Sequence, residues 1–193
     1  MKRSITIVLG TALFASLFAL NTSAENLPSG QVDFGAFTPP GGGGQFVEVN
    51  LTSSLISMAA RFVEKQEPDL GQLLGGLQLV HVNVIGLDDE NRGELEKRTD
   101  KIRKELDSKG WERIVMARQE QQNVSVYLKT HNKDTVEGLV VMAMDGEKHA
   151  VFVNIVGNIK PEQLSLLGDR LHIDPLKKIG KMTETIGDKA EEK

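Results

Sequence analysis

Between residues 111 and 157 the chain alternates apolar and polar side chains in four successive runs, 111–118, 124–130, 136–144 and 149–157, with only short polar or glycine-bearing connections between them. Period-two alternation of this kind marks strands. The connections are too short to hold a crossover helix, and strands joined that closely pair antiparallel. This half of the chain is therefore expected to form an antiparallel meander, which excludes a doubly wound parallel sheet.

The remainder supplies helices and two more strands. FVEVNL (residues 46–51) alternates, and Thr52 or Ser53 can then cap a helix with Leu55, Ile56, Met58, Ala59, Phe62 and Val63 on one broad face. Pro68 breaks that helix, and a short helical turn through Leu70 and Leu74 stops at Gly75-Gly76. LQLVHVNVIGL (77–87) is rich in β-branched residues and reads as an interior strand. The charged block that follows carries Leu95, Ile102 and Leu106 on a narrow stripe and ends at Gly110, as expected of a surface helix. Pro161 opens a last helix through Leu164, Leu166 and Leu167 to about Leu171. The order β-α-β-α-β-β-β-β-α predicts an α+β, two-layer domain, a largely antiparallel sheet with helices packed on one face.

The two ends differ from this middle. Lys2 and Arg3 precede an apolar run from Ile5 to Leu20, and Thr22 and Ala24 sit three and one before Glu25, the pattern of a secretory signal peptide (1–24) cleaved after Ala24. Residues 25–45 contain Pro39-Pro40 and four consecutive glycines and predict a flexible leader. A single domain is expected over 46–172, followed by a polar tail over 173–193. With no cysteine there is neither a disulfide nor a site for lipid attachment. The formal charge of −4, more acidic still once Lys2 and Arg3 are removed, argues against nucleic acid as a partner. The localisation expected is the periplasm of a Gram-negative-type bacterium, with no membrane span in the mature chain.

One hairpin, VVMAMDGEKHAVFVNIVGNI (140–159), places a histidine and two methionines close together. If Asp145-Gly146 forms a two-residue turn, Met142 pairs with His149, Val140 with Val151 and Gly138 with Val153. Val140, Met142, Met144, His149, Val151 and Val153 then compose one apolar sheet face. Leu139, Val141, Ala143, Ala150, Phe152, Asn154 and Val156 compose the other. Helices on one side leave the first face open, which marks it as a candidate interaction face.

Chemistry-bearing patterns are sparse. His81, His131, His149 and His172 have no mutual spacing that builds a metal site. No serine lies in a Gly-x-Ser-x-Gly context, and Asp88-Asp89 stand where a helix entry would use them. No catalytic residue, cofactor or metal is assigned.

The ordered series FVEVNLTSSLISMAARF, LQLVHVNVIGL, DSKGWERIVMAR, VSVYLKT, GLVVMAMDGEKHAVFVNIVGNI and PEQLSLL resembles the bacterial exported family called domain of unknown function 4252, over roughly residues 45–170. The single tryptophan after the long helix and the ending Val-Asn-Ile-Val-Gly-Asn-Ile carry most of the likeness. The resemblance implies an envelope protein without an assigned activity. Many members resemble lipoproteins, and this chain departs from them by lacking the lipobox cysteine. It also implies a link to sigma and anti-sigma envelope signalling. The expectation is a non-enzymatic binding or interaction module whose partner is a protein or a second copy. The alternative is a carrier of a small apolar ligand in a groove on the open face.

Overall fold

The computed structural model describes residues 28–118, 122–132, 135–145 and 148–171. The expected signal peptide and the tail over 173–193 lie outside the described residues. The elements are β1 (Phe46–Thr52), α1 (Ser53–Val63), α2 (Pro68–Gly76), β2 (Leu77–Gly86), α3 (Arg92–Ser108), β3 (Glu112–Arg118), β4 (Gln122–Asn132), β5 (Thr135–Asp145), β6 (His149–Ile159) and α4 (Gln163–Leu171). A 3-10 turn, Gly41–Gly43, precedes them.

The six strands form one sheet in the order β1-β2-β6-β5-β4-β3, and every neighbouring pair is antiparallel. The meander from β3 to β6 is continuous, and β6 closes it against β2. Most of β6 is buried, in keeping with its apolar sequence and central place. Local chemistry sets the ends of the elements. Pro68 occupies the first turn of α2, where its missing N–H would have no helical partner. After α3, Gly110 takes φ +74° and the Trp111 N–H bonds back to the Leu106 carbonyl, a left-handed helix stop. At its start, the Asp88 carboxylate accepts from the Glu90 and Asn91 N–H groups.

Two separate apolar clusters flank the sheet. On one face Ile56 of α1, Leu73 of α2 and Leu164 and Leu167 of α4 pack over Val126, Leu139, Val141, Val153 and Ile155. On the other, Leu95, Ile102 and Leu106 of α3 pack over Tyr127, Val140, Met142, Ala150 and Phe152. The fold is thus α+β on an antiparallel sheet, but its helices cover both faces rather than one. The physical reason is the composition of the central strands. Both of their faces are apolar, and leaving either in water costs about 25 cal/mol per Å².

The leader corrects the expectation of a flexible segment over residues 30–37, which lie along the α3 face of the sheet. Val32 and Phe34 are buried. The Phe34 and Phe37 rings stand 5.7 and 4.9 Å from Phe152, and the Arg98 guanidinium sits 4.8 Å above Phe37 while donating to the Ala36 carbonyl. Asn154, fully buried in β6, holds the backbone. Its Oδ1 accepts from the Val32 N–H at 2.9 Å, and its Nδ2 donates to the Gly30 and Leu139 carbonyls at 2.9 and 3.2 Å. A side chain at Gly138 would strike Trp111 and the Gly30 backbone, so this glycine permits the leader to lie flat on the sheet. Aromatic burial and side-chain capture of the backbone replace the regular structure that proline and glycine deny this segment.

Candidate interaction surface

The β5–β6 hairpin is offset by three residues from its expected register. Asp145 pairs with His149, Met144 with Ala150, Met142 with Phe152 and Val140 with Asn154. Three residues, 146–148, therefore connect the strands instead of two, and the Lys148 N–H bonds to the Asp145 carbonyl. Because side chains alternate with period two, an odd offset exchanges the faces of one strand relative to the other. The six residues expected on one face are divided. Val140, Met142 and Met144 lie on the α3 face, whereas Val151 and Val153 lie on the face of α1, α2 and α4. His149 shares the parity of Val151 and Val153 at the start of β6. Val140, Met142 and Val153 are buried, so they offer no surface. Met144, His149 and Val151 are half-buried.

The titratable side chains do not converge. His81, in β2, has its Nε2 3.0 Å from Asn83 Nδ2 and 3.8 Å from Glu48 Oε1, with the Phe34 ring 6.0 Å away. His131, at the end of β4, has its Nδ1 3.4 Å from Glu137 Oε2, while Ser29 Oγ donates to the other oxygen of Glu137 at 2.6 Å. His172 lies outside the described residues. Among the described residues no three His, Asp or Glu side chains are placed to hold a metal ion. Arg103, mostly buried on α3, donates to Asn123 Oδ1 at 2.9 Å, which fastens the helix to β4, and to Asp100 Oδ1 of its own helix at 3.2 Å. A shallow groove between the leader and α3 is lined by Phe37, Asp88, Glu90, Glu94 and Arg98. Within it Asp88 is committed to the helix entry and Glu94 to Arg98.

The feature that stands out is apolar and exposed. On α1, Leu55, Met58 and Phe62 are 47%, 54% and 81% exposed, and on the adjoining β1, Val47 and Leu51 are 38% and 37% exposed. The sequence contains the cause. At 100° per residue the apolar arc from Met58 through Phe62, Leu55 and Ala59 to Ile56 and Ala60 spans about 200°, twice what one buried face requires. Ile56 and Ala60 take the half that meets the sheet. Leu55 lies half a turn around the helix from Glu64, the residue packed against Gly71 of α2. The remaining apolar flank consequently points away from α2, toward the outer edge of β1. Sequence reasoning placed Leu55, Ile56, Met58, Ala59, Phe62 and Val63 on one face, but a single face of that width was the signal that a second contact surface exists.

Val47, Val49 and Leu51 project from β1 on the same side of the sheet as α1. Their cross-strand partners Val84, Val82 and Val80 stand opposite Val151, Val153 and Ile155, which lie beneath the α1, α2 and α4 layer. The edge strand and the helix flank form one continuous apolar margin. Arg61 and Lys65 border its helical part, in a shallow groove that also includes Met58, Phe62 and Gln66.

No helix among the described residues is long and apolar enough to cross a membrane. No curated protein and no solved structure matches the chain. One family model does match, over residues 42–167, a span that runs from the glycine turn before β1 through all six strands and into α4. The chain belongs to the family described as Domain of unknown function (DUF4252).

Proposed function

We propose that this protein is an exported, non-enzymatic interaction module that binds through the apolar margin formed by β1 and α1. The observation that carries this reading is the exposure of Leu55, Met58 and Phe62 on a helix whose other apolar side is already buried. Leaving large apolar side chains together in water is unfavourable, and such patches on folded domains mark contact surfaces. Export to the periplasm, with cleavage after Ala24, is supported by the charge and hydropathy pattern of the first 24 residues. A role in sigma and anti-sigma envelope signalling is supported by the resemblance to exported proteins alone.

Site-specific photo-crosslinking in living cells tests the binding surface. A photoreactive residue at Phe62 is expected to yield a discrete protein adduct, and one at the exposed Glu96 of α3 is not. Leu55→Asp is expected to abolish the adduct while leaving the far-UV circular dichroism unchanged. Equal labelling from both positions, or an adduct that survives Leu55→Asp, overturns the assignment. An adduct formed only with a small apolar molecule would favour the carrier reading.

A further inference from the structure

The sheet has two outer edges, and they are built differently. On β3 the ladder to β4 is broken by a bulge between Arg113 and Val115, and the strand carries Glu112, Arg113 and Arg118. Bulges and charges are the usual means of preventing one sheet edge from pairing with another. On β1 seven consecutive residues pair with β2 without interruption, and Glu48 is the only charge. Among the described residues no element pairs with the outer side of β1. Its backbone donors and acceptors are thus presented on a straight, weakly charged strand beside the apolar flank of α1.

The sequence of β1 also determines which partner suits it. FVEVNLT reads nearly the same in both directions about Val49, apolar at 47, 49 and 51 and polar at 48, 50 and 52. Two antiparallel copies centred on Val49 would set Val49 against Val49, Val47 against Leu51, and Glu48 against the neutral Asn50. Val47, Val49 and Leu51 then each meet another apolar side chain, Phe46 meets Thr52 at the ends, and no like charges face each other across the pair. Each Glu48 already has His81 of its own chain on its inner side. An edge that is complementary to itself under a two-fold rotation fits a second copy better than an arbitrary extended peptide.

We propose that the protein forms a two-fold dimer in which the β1 strands of two copies pair antiparallel, joining two six-stranded sheets into one and bringing the α1 flanks, with Leu55, Met58 and Phe62, to the junction. The strand pairing supplies backbone hydrogen bonds and register, and the helix flanks supply the apolar area that a seven-residue pairing lacks. This proposal rests on reading the β1 and α1 margin as the binding surface and names its occupant.

The absence of cysteine makes a direct test possible. Directly opposed residues of an antiparallel pair have Cα atoms about 4.5–5.5 Å apart, within the range a disulfide spans. Val49→Cys in the full chain is therefore expected to give a disulfide-linked dimer under mild oxidation. Met116→Cys, on the exposed β3 edge, is expected to remain monomeric under the same conditions. In parallel, light scattering of the cysteine-free protein should show twice the chain mass at high concentration. Phe62→Glu, at a fully folded and exposed helix position, should weaken that dimer by roughly tenfold or more.

Equal oxidation of the two cysteine variants, or a monomer mass at every concentration, overturns the dimer. The two proposals fail separately. A persistent monomer whose Phe62 position still crosslinks to a different protein removes the second copy and keeps the binding surface. A Val49→Cys dimer that Phe62→Glu leaves unchanged keeps the strand pairing and removes α1 from it. Loss of both signals removes both proposals.

Discussion

The two faces of the sheet are covered by different means. One carries a layer of three helices, α1, α2 and α4, and a helix pairs its interior backbone groups with one another. The other carries one helix, α3, and beside it a leader with little regular structure. The difference shows that an apolar sheet face can be closed by irregular chain when a buried side chain takes over the backbone bonding. Asn154 does so, offering both an acceptor and a donor to residues 30–32. The aromatic contacts of Phe34 and Phe37 with Phe152 then provide the apolar gain against the entropy of ordering the segment.

The largest test of this contrast compares core truncations on the two faces. Phe152→Ala is expected to destabilise the domain by about 3–5 kcal/mol and to make the leader sensitive to protease. Ile155→Ala, its neighbour on the helical face, is expected to cost about 2–5 kcal/mol in chemical denaturation while the leader stays protected below the transition. Leader exposure in both variants would mean that the two faces are not independent layers. Asn154→Ala isolates the polar clamp. It strands the buried Val32 N–H at a cost of about 1–3 kcal/mol, and faster hydrogen exchange at Val32 should accompany it. Phe34→Ala should cost about 2 kcal/mol, less than Phe152→Ala, because the leader can lift away where a β6 residue would leave a cavity. The smallest effect is expected at Tyr127, whose buried hydroxyl has no hydrogen-bond partner among the described residues. Tyr127→Phe should leave stability unchanged or raise it by up to about 1 kcal/mol in urea denaturation, and a clear loss would reveal a partner for that hydroxyl.

Much of this architecture is legible in the chain because it depends on local pattern. The narrow stripe of Leu95, Ile102 and Leu106 identifies α3 and the side it buries, and Gly110 ends it for a reason visible in one residue. Alternation across residues 111–157 identifies four antiparallel strands, since their connections cannot hold a crossover. The interior position of β2 follows from its β-branched run. The candidate surface was less legible. The apolar residues of α1 could be counted, but which half would be buried depended on where β2 and α2 came to lie.

What the sequence alone determined is therefore the kind and order of the elements, the antiparallel pairing, and the existence of more apolar surface than one layer of helices can cover. Tertiary structure decided the rest. The hairpin closes over a three-residue connection where the Asp-Gly pair suggested two, its register lies three residues from the expected one, and a period of two turns that odd offset into an exchange of faces. The leader was ordered by Asn154 and Phe152, more than a hundred residues away in sequence. Local propensity describes what each segment can do by itself, whereas burial, register and backbone capture depend on partners that only the folded chain brings into contact.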